Sequence, residues 1–124
     1  MKQEQVDIFE KVHAQLEGLH SEISSLSKKS QNDALNKFKL KFVNQILVDA
    51  NTILGTEYRP FPDFSTFSDE DLPTTSDVAM MLTQYLNCFE TLKTNNIEYR
   101  GGKYYWLIDG RKSNVNTFSP RKTK

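Results

Sequence analysis

The sequence predicts a mainly α-helical domain in which an antiparallel helical hairpin is followed by a third helix and a small C-terminal β-hairpin. Three observations predict this. Apolar residues recur at helical spacing in three segments, polar or proline-containing linkers separate those segments, and apolar residues alternate around a Gly-Gly pair near the C-terminus. The length of 124 residues is that of one domain with a single modest core. We expect residues 1–110 to form this domain and residues 111–124 to form a basic, flexible tail.

The first helix, over residues 6–26, is the clearest of these elements. Its apolar residues are spaced 3, 4, 3, 4 and 3 positions apart, as the a and d positions of a coiled-coil heptad are, and they form a narrow stripe: Phe9, Val12, Leu16, Leu19, Ile23 and Leu26. The stripe spans fewer than three heptads and needs a partner helix, in this chain or in a second copy. It is therefore a candidate partner interface, with antiparallel packing on the second helix as the simpler outcome and self-association as the other.

The second helix is predicted over residues 32–54. Ser30 and Asp33 resemble a capping box at its start, and Gly55 supplies the left-handed residue that often ends a helix. Its apolar face is wider than the stripe of the first helix and suits contact with more than one neighbour: Leu35, Phe38, Phe42, Val43, Ile46, Leu47, Ala50, Ile53 and Leu54. Because the linker between the two helices is short, we expect them to fold back as an antiparallel hairpin.

Residues 56–75 are predicted to form an ordered loop. Prolines and the lack of a helical period argue against regular structure, and the aromatic residues argue against a floppy linker because aromatic side chains pack where they can. A loop of this length is often functional. The interpretation we favour is that its phenylalanines cover the helical core. In the other interpretation the loop contacts a protein partner through Phe61, Phe64, Phe67, Asp69, Glu70 and Asp71.

A third helix is predicted from Asp77 to Lys93, with its N-cap among the hydroxyl residues 74–76. A β-hairpin follows, with Gly101 and Gly102 as a two-residue turn, so that residue 99 pairs with residue 104 and residue 97 with residue 106. This register places the apolar set of the hairpin on one face: Ile97, Tyr99, Tyr104, Trp106 and Ile108.

The charge of the chain is balanced overall, with 16 basic and 16 acidic residues, but it is divided into blocks. Acidic residues dominate positions 57–77 and basic residues dominate positions 28–41 and 93–124, which can orient partners or simply form solvated faces. No apolar run reaches the ~18 residues that a bilayer span needs, and the N-terminus lacks the apolar core of a signal peptide. Cys88 is alone and cannot form an internal disulfide, so we expect a cytoplasmic protein.

Residues with catalytic or metal-binding chemistry are few and scattered. His13 and His20 lie about 10 Å apart along the first helix, too far to share a metal ion, and we expect them to be solvated or to face a partner. Cys88 has no histidine near it in sequence to act as a base. The acidic run at positions 69–71 lacks the alternating ligands and the glycine of an EF-hand loop. We therefore predict no enzyme activity, no catalytic residue, no metal or cofactor and no small-molecule substrate.

In the absence of a catalytic motif, the candidate contact surfaces of the sequence favour a non-enzymatic protein–protein interaction module. The size of the chain suits a small accessory or inhibitory subunit of a larger bacterial or phage assembly. Its partners would be another protein, a second copy of the chain, or both.

Nucleic-acid binding is the alternative. Three helices followed by a hairpin is the order seen in winged-helix domains, and the C-terminal region is basic. However, about twenty residues, rather than about 3–4, separate the second helix from the third, and the third carries no base before Lys93 with which to contact phosphates. A different mode of contact would use basic residues together with a tyrosine that stacks on a base: Lys37, Lys39, Lys41, Arg100, Lys103, Tyr105, Arg111 and Lys112.

Overall fold

The computed structural model of the chain describes residues 1–120. Its elements are α1 (Gln3–Ser30), α2 (Lys37–Tyr58), α3 (Thr75–Thr94), β1 (Ile97–Arg100), β2 (Lys103–Trp106) and β3 (Asn116–Thr117). The strands form one antiparallel sheet in the order β1-β2-β3. The predicted class, mainly α with a small C-terminal β-hairpin, is confirmed. Within these described residues no helix combines the length and the apolar character that a bilayer crossing requires.

The start of α2 differs from the sequence prediction. The helix begins at Lys37 because Asn36 caps it, with the Asn36 side chain accepting a hydrogen bond from the backbone N–H of Lys39. Asp33, predicted as part of a capping box, instead lies in the linker. At the other end Gly55 takes the left-handed φ of 62° that its position predicts, and the chain kinks there before Tyr58.

The core lies between the three helices and is closed at one end by the sheet. α1 packs more extensively on α3 than on α2, so the principal neighbour of the α1 stripe is not the one that the sequence favours. The Phe9 ring stacks on Phe89 of α3 with centroids 4.9 Å apart and meets the edge of Trp106 of β2 at 5.1 Å. The backbone N–H of Asp109 also donates to the carbonyl of Met1 at 2.9 Å, which ties the end of the hairpin to the start of α1.

A backbone clamp fixes the start of α3 at the α1–α2 junction. The N–H of Leu35 donates to the carbonyl of Pro73 at 2.8 Å, and the N–H of Thr75 donates to the carbonyl of Asp33 at 2.9 Å. The Thr75 hydroxyl also donates to the carbonyl of Ser30 at 2.8 Å. The long loop between α2 and α3 is therefore anchored firmly at its end.

The hairpin has the predicted register, with Ile97 opposite Trp106 and residue 99 opposite residue 104. Gly101 and Gly102 have φ values of 57° and 86°, which side chains with a Cβ rarely adopt, and this explains the Gly-Gly turn. The predicted apolar face is buried at Trp106 but exposed at Tyr99, whose ring contacts that of Tyr104 across the strand pair.

The third strand is not predicted by the sequence. The chain turns at Asp109-Gly110 and then runs back along β2. From sequence, residues 111–120 are expected to belong to a flexible tail. The backbone N–H of Trp106 donates to the carbonyl of Val115 at 2.9 Å, and Asn116 and Thr117 pair with β2. A strand of two residues has too short an alternation to be recognised in sequence. The rest of the predicted tail, residues 121–124, lies outside the described residues.

Candidate interaction surface

The α1 stripe forms part of the core of this chain. Phe9, Val12, Leu16 and Ile23 are each at most 2% exposed. The two other members, Leu19 and Leu26, are partly buried against the same core. Because α3 and α2 already cover the stripe, its buried residues offer no surface to a second protein in this fold.

The loop between α2 and α3 lies along the flank of α2 and runs antiparallel to it. Asn44 donates to the carbonyl of Phe67 at 2.9 Å and accepts from its N–H at 3.0 Å. About two turns of helix further on, Asn51 donates to the carbonyl of Ser65 at 2.9 Å and accepts from the hydroxyl of Tyr85 at 2.6 Å. The backbone of the loop is therefore held by hydrogen bonds to two asparagine side chains of α2, and not by pairing with a β-strand.

This arrangement buries part of the predicted loop interface and leaves the rest exposed to solvent. Phe64 and Phe67 are partly buried, with their rings 5.0 Å apart, and Phe64 also meets Tyr85 of α3 at 6.3 Å. Both rings therefore cover the core, which is the interpretation favoured from sequence. Phe61 is exposed, as are the acidic residues that follow, Asp69, Glu70 and Asp71.

An exposed stripe on α2, which we call the α2 outer face, is the largest departure from the predicted core. It consists of residues spaced three or four apart that are all exposed: Phe38, Lys41, Phe42, Gln45, Val48, Asp49 and Thr52. Phe38 is 73%, Phe42 41% and Val48 55% exposed, although the sequence analysis placed both phenylalanines on the apolar face of the helix.

A sequence signal for this division exists but is easily missed. The residues of α2 that are buried follow their own 3, 4, 3, 4 spacing: Leu40, Val43, Leu47, Ala50 and Leu54. Phe38 and Phe42 lie four residues apart on a different line of the helix, so one set of neighbours cannot cover both lines. The apolar residues of α2 therefore form two lines along the helix, one buried and one exposed, and not a single wide apolar face.

The aromatic pair on the α2 outer face has a defined geometry. The rings of Phe38 and Phe42 meet edge to face, with centroids 5.0 Å apart and an interplanar angle of 71°. The Lys41 ammonium lies 5.9 Å from the centroid of the Phe42 ring, within cation–π range. No acidic residue lies in the first turn of α2, so Lys37 and the helix dipole both make this end of the face positive.

The basic residues predicted to contact nucleic acid fall into two groups. On α2, Lys37 and Lys41 are exposed, whereas the Lys39 ammonium lies 3.3 Å from Glu22. On the sheet, the Arg100 guanidinium lies 4.3 Å from the centre of the Tyr105 ring. It therefore covers a ring face on which a base was predicted to stack.

Arg100 has two further contacts within the chain. Its Nε lies 2.9 Å from a carboxylate oxygen of Glu98, and its guanidinium donates to the carbonyl of Ser113. The remaining basic candidates in this region, Lys103, Arg111 and Lys112, are exposed.

Both histidines contact α3 of the same chain, whereas the sequence predicts that they are solvated or face a partner; His13 is buried and His20 is partly buried. His13 Nε2 lies 3.0 Å from Glu90 Oε1, and both side chains are buried. His20 Nε2 lies 2.9 Å from the Thr83 hydroxyl, and burial lowers the pKa of His20 below its ordinary value. Sequence reasoning misses these contacts because the partners are 77 and 63 positions away.

The residues with reactive or metal-binding chemistry do not assemble a site in the described part of the chain. Cys88 is partly buried, and burial raises the pKa of its thiol, which keeps it in the less nucleophilic protonated form. Among residues 1–120, no three His, Cys, Asp or Glu side chains are grouped so that they could hold a metal ion.

Comparison with protein-family models, with curated proteins and with solved structures finds no match to this chain. The α2 outer face is notable among its surfaces because two large apolar side chains, Phe38 and Phe42, are exposed next to each other on one helix.

Proposed function

We propose that the chain is a non-enzymatic protein–protein interaction module that binds its partner through the α2 outer face. The observation that carries this proposal is the pair of adjacent, exposed phenylalanines, Phe38 and Phe42. Full burial of a phenylalanine side chain contributes about 1.5–3 kcal/mol, and two neighbouring positions leave much of that contribution unused in the isolated chain. Contiguous apolar surface of this kind marks interaction sites on soluble proteins.

The composition of the face supports a protein partner. Protein interfaces have an aromatic or aliphatic centre surrounded by a polar rim, and here Phe38, Phe42 and Val48 are accompanied by Lys41 and Asp49. The face lies on a helix that the core and the bound loop hold in place, so little conformational entropy is lost when a partner binds. A small accessory or inhibitory subunit of a larger assembly would present such a preformed surface.

A cytoplasmic location belongs to the same proposal. Cys88 is a free thiol, and it is the sole cysteine of the chain. Proteins that work in oxidising compartments commonly use disulfides, whereas reduced, isolated cysteines are usual in the cytoplasm.

The test is a pull-down from a lysate of the source organism with the whole chain immobilised. We expect wild type to retain one protein at a fixed stoichiometry and Phe38→Ser with Phe42→Ser to lose it. Phe61→Ser is a matched control, since Phe61 is 40% exposed but lies on the loop. Equal recovery by wild type and by the Phe38→Ser, Phe42→Ser variant would contradict the proposed surface.

Nucleic-acid binding is a second candidate, because two exposed lysines stand beside exposed rings at the positive end of α2. Lys37 and Lys41 would contact phosphates while Phe38 and Phe42 stack on bases. If so, a mobility-shift titration with single-stranded DNA should show binding that weakens steeply with salt and is abolished by Lys37→Glu with Lys41→Glu. Lys103→Glu with Lys112→Glu makes the same charge change on the sheet and separates the two basic groups.

A further inference from the structure

We propose that the α2 outer face binds the same face of a second copy of this chain, with the two α2 helices antiparallel and a two-fold axis at Gln45. This inference rests on the proposed function and names the partner. It differs from the self-association considered from sequence, which used the α1 stripe. The buried residues of that stripe pack in the core of their own chain.

The α2 outer face is arranged symmetrically about Gln45. Lys41 and Asp49 lie four residues before and after it, Phe42 and Val48 lie three residues before and after it, and Phe38 and Thr52 lie seven before and after it. In an antiparallel pair related by a two-fold axis at Gln45, a residue some distance before the axis lies level with the residue the same distance after it in the other copy. Lys41 of each copy is then level with Asp49 of the other.

All of these residues share one side of the helix. Spacings of three and four residues at ~100° per residue keep the whole set within a sector of ~120°. Phe38, Gln45 and Thr52 are seven apart and form its central line, as in the seam of a two-helix contact. All seven side chains are exposed, so a second helix can reach them without moving the core.

The charges of the face favour the antiparallel arrangement. In the part of the chain that the structure describes, neither Lys41 nor Asp49 has an ion-pair partner. A parallel arrangement would place Lys41 against Lys41 and Asp49 against Asp49, which is repulsive at both positions. The antiparallel arrangement makes two opposite-charge pairs, and its two-fold symmetry gives a closed dimer. These rim charges select the register, and the apolar side chains supply the attraction.

The test uses reversal of these charges in the full chain. We expect wild type to show a monomer–dimer equilibrium by sedimentation over concentrations from about 10 μM to about 1 mM, because one helix face is a small interface. Lys41→Asp and Asp49→Lys should each weaken the dimer about tenfold, since each sets like charges together twice. An equimolar mixture of the two variants should restore association, because their heterodimer sets an acid against a base at both places.

Matched controls separate this contact from a general effect of charge. Lys11→Asp makes the same charge change at an exposed position of α1 and should leave the dimer unchanged. Phe38→Ser should weaken it. All of these positions are exposed, so circular dichroism should show the wild-type helix content for every variant.

Two results would overturn the dimer. They are a monomer at the highest concentration, or a mixture of the two charge variants that stays monomeric. A monomer that still loses a captured protein on Phe38→Ser with Phe42→Ser refutes the dimer and leaves the proposed function standing. A chain in which these substitutions change neither association nor capture refutes both.

Discussion

The α1 stripe and the α2 outer face both carry large apolar side chains along a long helix, yet the stripe is buried or partly buried and the face is exposed. Phe9 on the stripe touches Phe89 and Trp106 and is not exposed at all. Phe38 on the α2 outer face touches Phe42 and is mostly exposed. The stripe has the spacing of a coiled-coil seam and the face does not stand out in the sequence, so the more conspicuous pattern is the one that serves the core.

The difference shows what helical periodicity measures. A regular 3–4 spacing of apolar residues indicates that they will be buried in the folded protein, because exposing six apolar side chains on one face of a helix would be costly. It does not tell which element will cover them. The stripe finds its cover in α3, an element that begins some fifty residues after the stripe ends, and α2 retains a face that the same chain cannot cover.

Truncation of a phenylalanine on each line gives the largest expected contrast. Phe9→Ala should reduce the free energy of unfolding by about 3–5 kcal/mol, because it opens a cavity in the core. Phe38→Ala should change it by less than about 0.5 kcal/mol, because the side chain is exposed. Urea unfolding at a concentration where the chain is monomeric measures both. Similar losses at the two positions would mean that the α2 outer face is part of the folded core.

The contact of His13 with Glu90 should have the next largest effect on stability. His13→Leu removes the hydrogen bond to a buried carboxylate and should cost about 1–3 kcal/mol. His13→Gln keeps a donor at this position and should cost less. If the two substitutions are equally destabilising in urea unfolding, the packing of the imidazole against Phe9 and Phe89 matters more than its hydrogen bond.

The bound loop gives a smaller and more local effect. Asn44→Ala removes two hydrogen bonds to the backbone of Phe67, which together contribute about 1–2 kcal/mol. Hydrogen exchange should show faster exchange of the Phe67 amide, with no change in α3. Gln15→Ala, at an exposed position of α1, is the control. An unchanged Phe67 amide would mean that the aromatic contacts of the loop hold it without Asn44.

The smallest effect is a pH dependence that arises from His20. Burial lowers its pKa in the folded chain, whereas in the unfolded chain it takes up a proton near its ordinary value of about 6.5. Stability is therefore fully present above about pH 6.5 and falls as the pH drops below it, until the folded chain is protonated too. Thermal unfolding of wild type and His20→Gln between about pH 7.5 and about pH 5 should show a flatter profile for the variant.

The sequence predicts the fold where the determining contacts are local. The Gly-Gly turn determines the pairing of Ile97 with Trp106, and the left-handed Gly55 ends the regular part of α2. The aromatic content of the loop indicates that its phenylalanines cover the core, which is correct for Phe64 and Phe67 but not for Phe61, which is exposed.

The candidate site is less predictable because it depends on contacts between distant elements. Nothing near His13 in the sequence indicates Glu90, and nothing near Phe38 indicates that α3 and the loop leave it exposed. The lysines of α2 could be named from composition alone. For their aromatic neighbours the sequence holds only an indirect signal, the separate 3, 4, 3, 4 spacing of the buried residues of α2, because burial is decided by the packing of the whole chain.

The bond from Asp109 to Met1, together with the contact of Phe9 with Trp106, has a consequence for synthesis of the protein. The first helix cannot complete its packing until the hairpin, about a hundred residues later, has left the ribosome. Until then the apolar side chains of α1 are accessible to chaperones and to other nascent chains. We therefore expect folding of this domain to be completed only after translation has passed the hairpin, so that ribosome-bound chains stalled before Trp106 remain sensitive to protease.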